Sequence, residues 1–145
     1  MRRILIVVAL MLAGIATAHA GDPPEGPLKA TLYKNPQCGC CEEYAVYLRR
    51  NGFDVAVKPT NDLETINRKA GVPEAFEGCH AMFIDGYVID GHVPVNLVHR
   101  LLSERPNIAG ITLPGMPAGS PGMGGAKTEP FVVYALPRDG SAPTI

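Results

Sequence analysis

The sequence has no tryptophan, only 6 % aromatic residues, and no cluster of lysine or arginine beyond position 3. The missing basic cluster argues against a nucleic-acid or anionic-membrane binder, because such partners need a basic face that displaces counterions. Charge of either sign is scarce, with 13 basic against 14 acidic residues and a net charge of −1 at pH 7. The motifs of several large enzyme classes are missing too: there is no G-x-G-x-x-G, no G-x-x-x-x-G-K-[ST] and no H-E-x-x-H. Gly119-Ser120-Pro121-Gly122 lacks the pattern of a nucleophile elbow. A Cys38/His92 hydrolase pair has no local signature around it. What remains is 145 residues, enough for one domain of ordinary size, with 46 % hydrophobic residues, 16 glycines, 14 prolines and four cysteines.

The first twenty residues read as an export signal rather than as part of that domain. Arg2 and Arg3 form a basic n-region, Ile4 to Ala16 is an apolar run of h-region length, and Ala18-His19-Ala20 supplies a small-residue cleavage site. The run is short for a membrane span and has no second basic flank, so no membrane association is expected after cleavage. Cleavage after Ala20 takes Arg2 and Arg3 from the 13 basic residues, leaving 11 against 14 acidic ones and a mature charge of −3. Export sets the redox compartment: in an oxidising envelope thiols persist when paired, reduced by a partner, or occupied by metal.

Residues 21–29 hold three prolines and two glycines and read as a flexible leader, with the domain spanning 30–136 and a tail at 137–145. Ala30 to Tyr33 is a short strand. Cys41, Tyr44, Ala45 and Leu48 recur at helical spacing, with glutamates in the first turn, arginines in the last and Gly52 after them. Phe53 to Val57 is a second strand, and Asn61 or Asp62 can cap a helix through Leu63, Ile66 and Ala70. Met82 to Ile84 and Tyr87 to Ile89 flank Asp85-Gly86, a strong hairpin signal. Pro94 opens a third helix through Val95, Val98, Leu101 and Leu102 that ends before Pro106. In the stretch 106–125, ten of twenty residues are glycine or proline, so a loop is expected, followed by a strand at Phe131 to Leu136. The order β-α-β-α-β-β-α predicts an α/β fold of thioredoxin-like type, a central sheet flanked by helices.

Chemistry concentrates in Cys38-Gly39-Cys40-Cys41, at the predicted start of the first helix. There the helix's unpaired N–H groups and positive dipole end favour thiolates. Cys38 and Cys41 form a C-x-x-C pair suited to disulfide exchange, with Cys38 as nucleophile and Cys41 as resolving thiol, but that motif needs no Cys40. Three sulfurs in four residues are crowded for one tetrahedral ion, because the adjacent side chains of Cys40 and Cys41 are expected to diverge. Bridging thiolates shared among several soft ions would use them better; thiolate and thioether donors select Cu(I), whereas Zn would also accept four-cysteine or mixed Cys/His sets. Cys79 precedes the third strand, on a loop expected to face the first helix's start, and can close the site. Auxiliary candidates are His80, His92, Met116 and Met123, the two methionines exposed on a Pro/Gly loop with little core to bury them. Met82 reads as core, and His99 as a helical surface or half-buried histidine. Glu42, Glu43, Asp85 and Asp90 read as helix-dipole partners, turn formers or solvated surface.

Four ordered blocks, Tyr33 to Cys41 (YKNPQCGCC), Cys79-His80, Asp85 to Pro94 (DGYVIDGHVP) and Pro114 to Met123 (PGMPAGSPGM), together resemble the CopG-like family of exported, thioredoxin-like copper-resistance proteins. The likeness runs from about Thr31 to Met123. It implies periplasmic copper handling, with copper held by Cys38, Cys40, Cys41 and Cys79. His92, Met116 and Met123 match the family's motifs, and their role as ligands is an inference from donor chemistry. Ordinary thioredoxins lack a cysteine at the position of Cys40 and have a cis-proline where Cys79-His80 stand, which counts against generic disulfide exchange. The expected function is therefore Cu(I) binding through a polynuclear thiolate cluster, with Cu(I)/Cu(II) cycling as an extension. The expected partners are copper ions, other periplasmic copper-handling proteins or an electron-transfer partner. A periplasmic thiol-disulfide oxidoreductase using Cys38 and Cys41 is the competing reading, and a small exported domain stapled by two disulfides is a third.

Overall fold

A computed structural model describes residues 26–145, so the expected export signal and most of the expected leader lie outside the described residues. The elements follow in the order β1 (Leu28–Lys34), α1 (Gly39–Arg50), β2 (Phe53–Pro59), α2 (Leu63–Lys69), a short 3-10 turn (Glu74–Phe76), β3 (His80–Ile84), β4 (Tyr87–Gly91), α3 (Val95–Glu104), β5 (Ile108–Leu113) and β6 (Tyr134–Pro137). The six strands form one mixed sheet in the order β2-β1-β3-β4-β5-β6. β1 runs parallel to β2 and antiparallel to β3, and β3 and β4 form the antiparallel hairpin expected around Asp85-Gly86. No helix among the described residues is long and apolar enough to cross a membrane.

Alternation along the strands sends side chains to two faces. Ala30 and Leu32 of β1, Met82 and Ile84 of β3 and Ile89 of β4 pack with Tyr44, Ala45 and Leu48 of α1 and Val98 and Leu101 of α3. The opposite face is smaller: Ala81, Val88 and Leu136 meet Val72, with Leu63 and Ile66 from α2 and Ala70 just after it. The buried residues of α1 are Cys41, Tyr44, Ala45 and Leu48, the set predicted from their spacing. Asp85 and Gly86 both take positive φ, 48° and 81°, which is the backbone of a two-residue hairpin turn and explains that dipeptide between β3 and β4.

Five sequence expectations need correction. The stretch 106–125 is not a loop throughout, because Ile108–Leu113 forms β5, parallel to β4 through the α3 crossover. Its glycines and prolines crowd into residues 114–125, and the strand contains only Gly110. A Cβ there would lie 1.8 Å from Val88 O, so this glycine permits close strand pairing instead of breaking it. β1 begins at Leu28, two residues before the expected start, and β6 begins at Tyr134, so Phe131 to Val133 stay outside the strand. Pro94 sits just before α3 in extended conformation rather than within its first turn. Asp62 precedes α2 without a side-chain cap; instead its own N–H donates to Thr60 Oγ1. The tail, silent in sequence, returns to the sheet through an antiparallel bridge between Ala135 and Thr144.

Candidate metal centre

The thiol turn follows directly from β1. Asn35 O accepts the N–H of Cys38 and Asn35 Oδ1 that of Gln37, each at 3.0 Å, while Pro36 supplies the fixed φ of the turn. Cys38 therefore occupies the N-cap position of α1, with Gly39, Cys40 and Cys41 in the first turn. Cys38 has no side-chain capping bond, so its sulfur is free to turn towards the other thiols.

Cys79 arrives from a different element, immediately before β3. Gly78 N–H donates to Asp90 Oδ1, and a Cβ on Gly78 would lie 2.5 Å from Gly91 Cα. Only glycine allows that approach, and it seats Cys79 against α1. The sulfurs of Cys38, Cys40, Cys41 and Cys79 all lie within 4.8 Å of one another. Cys38 and Cys40 approach to 3.2 Å, Cys41 and Cys79 to 3.2 Å, and Cys40 and Cys79 to 3.9 Å. All four are free thiols, so no disulfide staple is formed. The expected divergence of Cys40 and Cys41 does not occur: at the start of the helix both sulfurs bend towards Cys79, one buried and one half-buried.

Two imidazoles complete the group. Cys41, Cys79, His80 and His92 present donor atoms within the same 4.8 Å limit. His92 Nε2 lies 3.0 Å from Cys79 Sγ, and its Nδ1–H donates to Pro121 O at 2.6 Å. That carbonyl holds the proton on Nδ1 and turns Nε2 towards sulfur, the orientation a metal-binding imidazole needs. His80 Nδ1 is 3.6 Å from the same sulfur, while its Nε2 is buried without a partner.

Electrostatics separate the thiols. Donation from the Cys41 thiol holds Cys79 well below the ordinary thiol range, and His80 and His92 add to the effect against the opposing influence of burial. Cys41, which gives up that hydrogen bond on ionising, is pushed far up. Burial, together with hydrogen bonding to Cys38 and the neighbouring sulfur charges, pushes Cys40 up to about 12. Burial alone would lower both histidines and does lower His80, but in His92 it is outweighed by the bond to Cys79 and its charge. Without metal, Cys79 is thus favoured as a thiolate supported by the Cys41 thiol, and a soft cation that displaces protons from Cys40 and Cys41 relieves the crowding.

The remaining sequence candidates fall in different places. Met82 is fully buried in the core and His99 is exposed on α3, its ring against Phe53. Met116 is 42 % exposed at a turn with φ 46°, whereas Met123 is half-buried. Met123 follows Gly122, which lies so close to α1 that a Cβ would come 2.6 Å from Tyr44 N and 3.1 Å from Cys40 O. The Pro/Gly segment therefore packs over the thiol turn.

Three residues around the thiols carry little signal in the sequence. Tyr44, read only as an apolar helix position, packs its ring 4.6 Å from His80 and 5.2 Å from His92 and donates its hydroxyl to Val93 O at 2.8 Å. Asp90, grouped with solvated or turn-forming acids, is fully buried beneath Cys79, and an acid between Ile89 and Gly91 in an otherwise apolar strand was its only signal. Lys34, unremarked at the end of β1, is 2 % exposed.

Residues 76–123 match the model of a family described as protein of unknown function, DUF411, a span that includes Cys79, both buried histidines and the methionine segment. Two solved structures described as copper resistance protein copG, forms 2 and 1, superpose with a TM-score of 0.73 each at 34 % identity. They cover 82 % and 81 % of this chain and 99 % and 98 % of their own. No curated protein sequence matches.

Proposed function

The chain belongs to the CopG-like family of copper-resistance proteins, and from that premise we propose that it is an exported, periplasmic protein that binds Cu(I) through Cys38, Cys40, Cys41 and Cys79 and so protects the cell envelope. The observation that carries this reading is the convergence of four free sulfurs, one brought from a distant loop, within 4.8 Å. Thiolate donors favour Cu(I) over harder ions. Four sulfurs spaced for sharing, with His92 and His80 at one side, suit a polynuclear thiolate cluster better than a single tetrahedral ion. The sheet order, with thiols at the start of the first helix, supports a thioredoxin-like scaffold adapted to metal.

Copper is the cargo in this reading. Cys38 and Cys40 are half-buried and receive it from the solvent side, whereas Cys41, His80 and His92 form the buried wall. Met123, next to the segment packed over Cys40, and Met116, at the exposed turn, would supply thioethers along the entry side. A change between Cu(I) and Cu(II) would need an electron-transfer partner, and the half-exposed sulfurs leave the cargo within its reach. Anaerobic reconstitution followed by metal analysis and sulfur-to-copper charge-transfer absorption tests the proposal. Uptake of less than one Cu(I) per chain against a mild chelator overturns it.

One observation favours thiol-disulfide exchange as a second reading: a half-exposed Cys38 stands near a fully buried Cys41, as nucleophile and resolving thiol would. The Cys40→Ser variant separates the two. It should keep disulfide turnover if the protein is an oxidoreductase and lose metal retention if it is a copper binder.

A further inference from the structure

Lys34 ends β1 with its side chain buried, 2 % exposed, one residue before the turn that carries Cys38. Buried ammonium groups are costly unless their hydrogens are all accepted. Here they are: Nζ donates to Asn35 O at 3.1 Å, to Pro36 O at 3.2 Å and to Glu42 Oε1 at 3.1 Å. Asn35 and Pro36 belong to the turn before Cys38, and Glu42 follows Cys41 in the first turn of α1. One ammonium thus ties together the two ends of the segment bearing three of the four thiols. Lys34 also lies directly opposite His80 in the β1–β3 register, which puts the clamp beside the segment of the fourth thiol, Cys79.

We infer that Lys34 is a positioning residue for metal capture, with Glu42 as its counterpart. This rests on the copper reading above. Because Glu42 balances the ammonium charge, the pair's main contribution is geometric: it holds Cys38, Cys40 and Cys41 in a converged arrangement before the metal arrives. A site held in advance loses less conformational freedom on binding, so loosening it weakens affinity even when the ligands are intact. Outer partners of metal ligands typically change affinity by roughly 10- to 100-fold when removed.

The test is competition for Cu(I) against bicinchoninate under anaerobic conditions, with wild type, Lys34→Met and Glu42→Gln. The charge-transfer spectrum and the metal-free melting temperature are recorded for each. Lys34→Met keeps the side-chain volume but removes all three donors. It should bind Cu(I) roughly tenfold or more weakly, with an altered charge-transfer band and a melting temperature close to wild type. Glu42→Gln, on a half-exposed side chain, should weaken binding in the same direction by a smaller factor. Wild-type affinity and spectrum in Lys34→Met overturn the clamp. If Lys34→Met fails to fold, Glu42→Gln decides: weakened binding supports the clamp and unchanged binding overturns it. Wild-type chain that takes up no Cu(I) instead overturns the copper reading itself, so the two failures are distinguishable.

Discussion

Cys79 Sγ lies 3.0 Å from His92 Nε2, although the two stand thirteen positions apart in the chain with the whole of the β3–β4 hairpin between them. The hairpin folds back so that the residue before β3 and the residue after β4 meet at one end of the sheet, facing the start of α1. There a thiolate and an imidazole stabilise each other, and the Pro121 carbonyl fixes the imidazole's other nitrogen.

Removing Cys79 should damage the site more than removing Cys38, because Cys79 contacts Cys40, Cys41 and both histidines. Cys79→Ser is expected to lower the copper bound per chain and to reduce the sulfur-to-copper absorption more than Cys38→Ser does. Metal analysis of anaerobically loaded variants checks the order.

Replacing His92 by glutamine removes a partner that holds Cys79 in its ionised form. The Cys79 thiol should then titrate at higher pH, so that alkylation at a fixed mildly acidic pH slows and the profile of rate against pH moves upward. Mass-resolved labelling of the metal-free protein follows Cys79 separately from the other thiols. An unchanged profile would show that His92 does not support the thiolate.

Asp90 makes stability depend on pH. Burial raises its carboxyl to about 7, against the lowering effect of the bonds from Gly78 and Thr112. Between about pH 4 and pH 7 an unfolded chain releases this proton while the folded chain keeps it. Stability should therefore fall as pH rises through that window and level off above it, by on the order of 4 kcal/mol in all. Denaturant unfolding of the metal-free protein should show this fall in wild type and a flatter profile in Asp90→Asn, whose amide oxygen still accepts from Gly78.

Gly122→Ala tests the segment packed over the thiol turn. Gly122 has φ 78°, and a Cβ would press on Tyr44 N and approach Cys40 O. Strain and collision together should cost about 1–3 kcal/mol, mainly by lifting the segment rather than unfolding the sheet. Faster labelling of Cys40 in the folded protein would show the lift, and unchanged labelling would count against a covering role.

Much of the scaffold could be read because its signals are local. Helical spacing in α1, the Asp85-Gly86 turn and the Pro94 boundary each follow from backbone preferences over a few residues. β5 is masked in the sequence because its six residues run straight into dense glycine and proline, although Ile108, Ile111 and Thr112 are strand formers. Asp90 and Lys34 were hidden for another reason: charged residues are usually exposed, and only a packed neighbourhood shows which ones are enclosed and hydrogen-bonded.

By itself the sequence determined the donor types, the close spacing of Cys38, Cys40 and Cys41, and their place at a helix start, since all of these are set along a few consecutive bonds. Tertiary structure decided whether the fourth sulfur joins them. Lys34 pairs with His80 across β1 and β3, so the residue just before His80 is carried alongside the turn just after Lys34. That strand register, held by hydrogen bonds between segments more than forty residues apart, brings Cys79 to the other thiols.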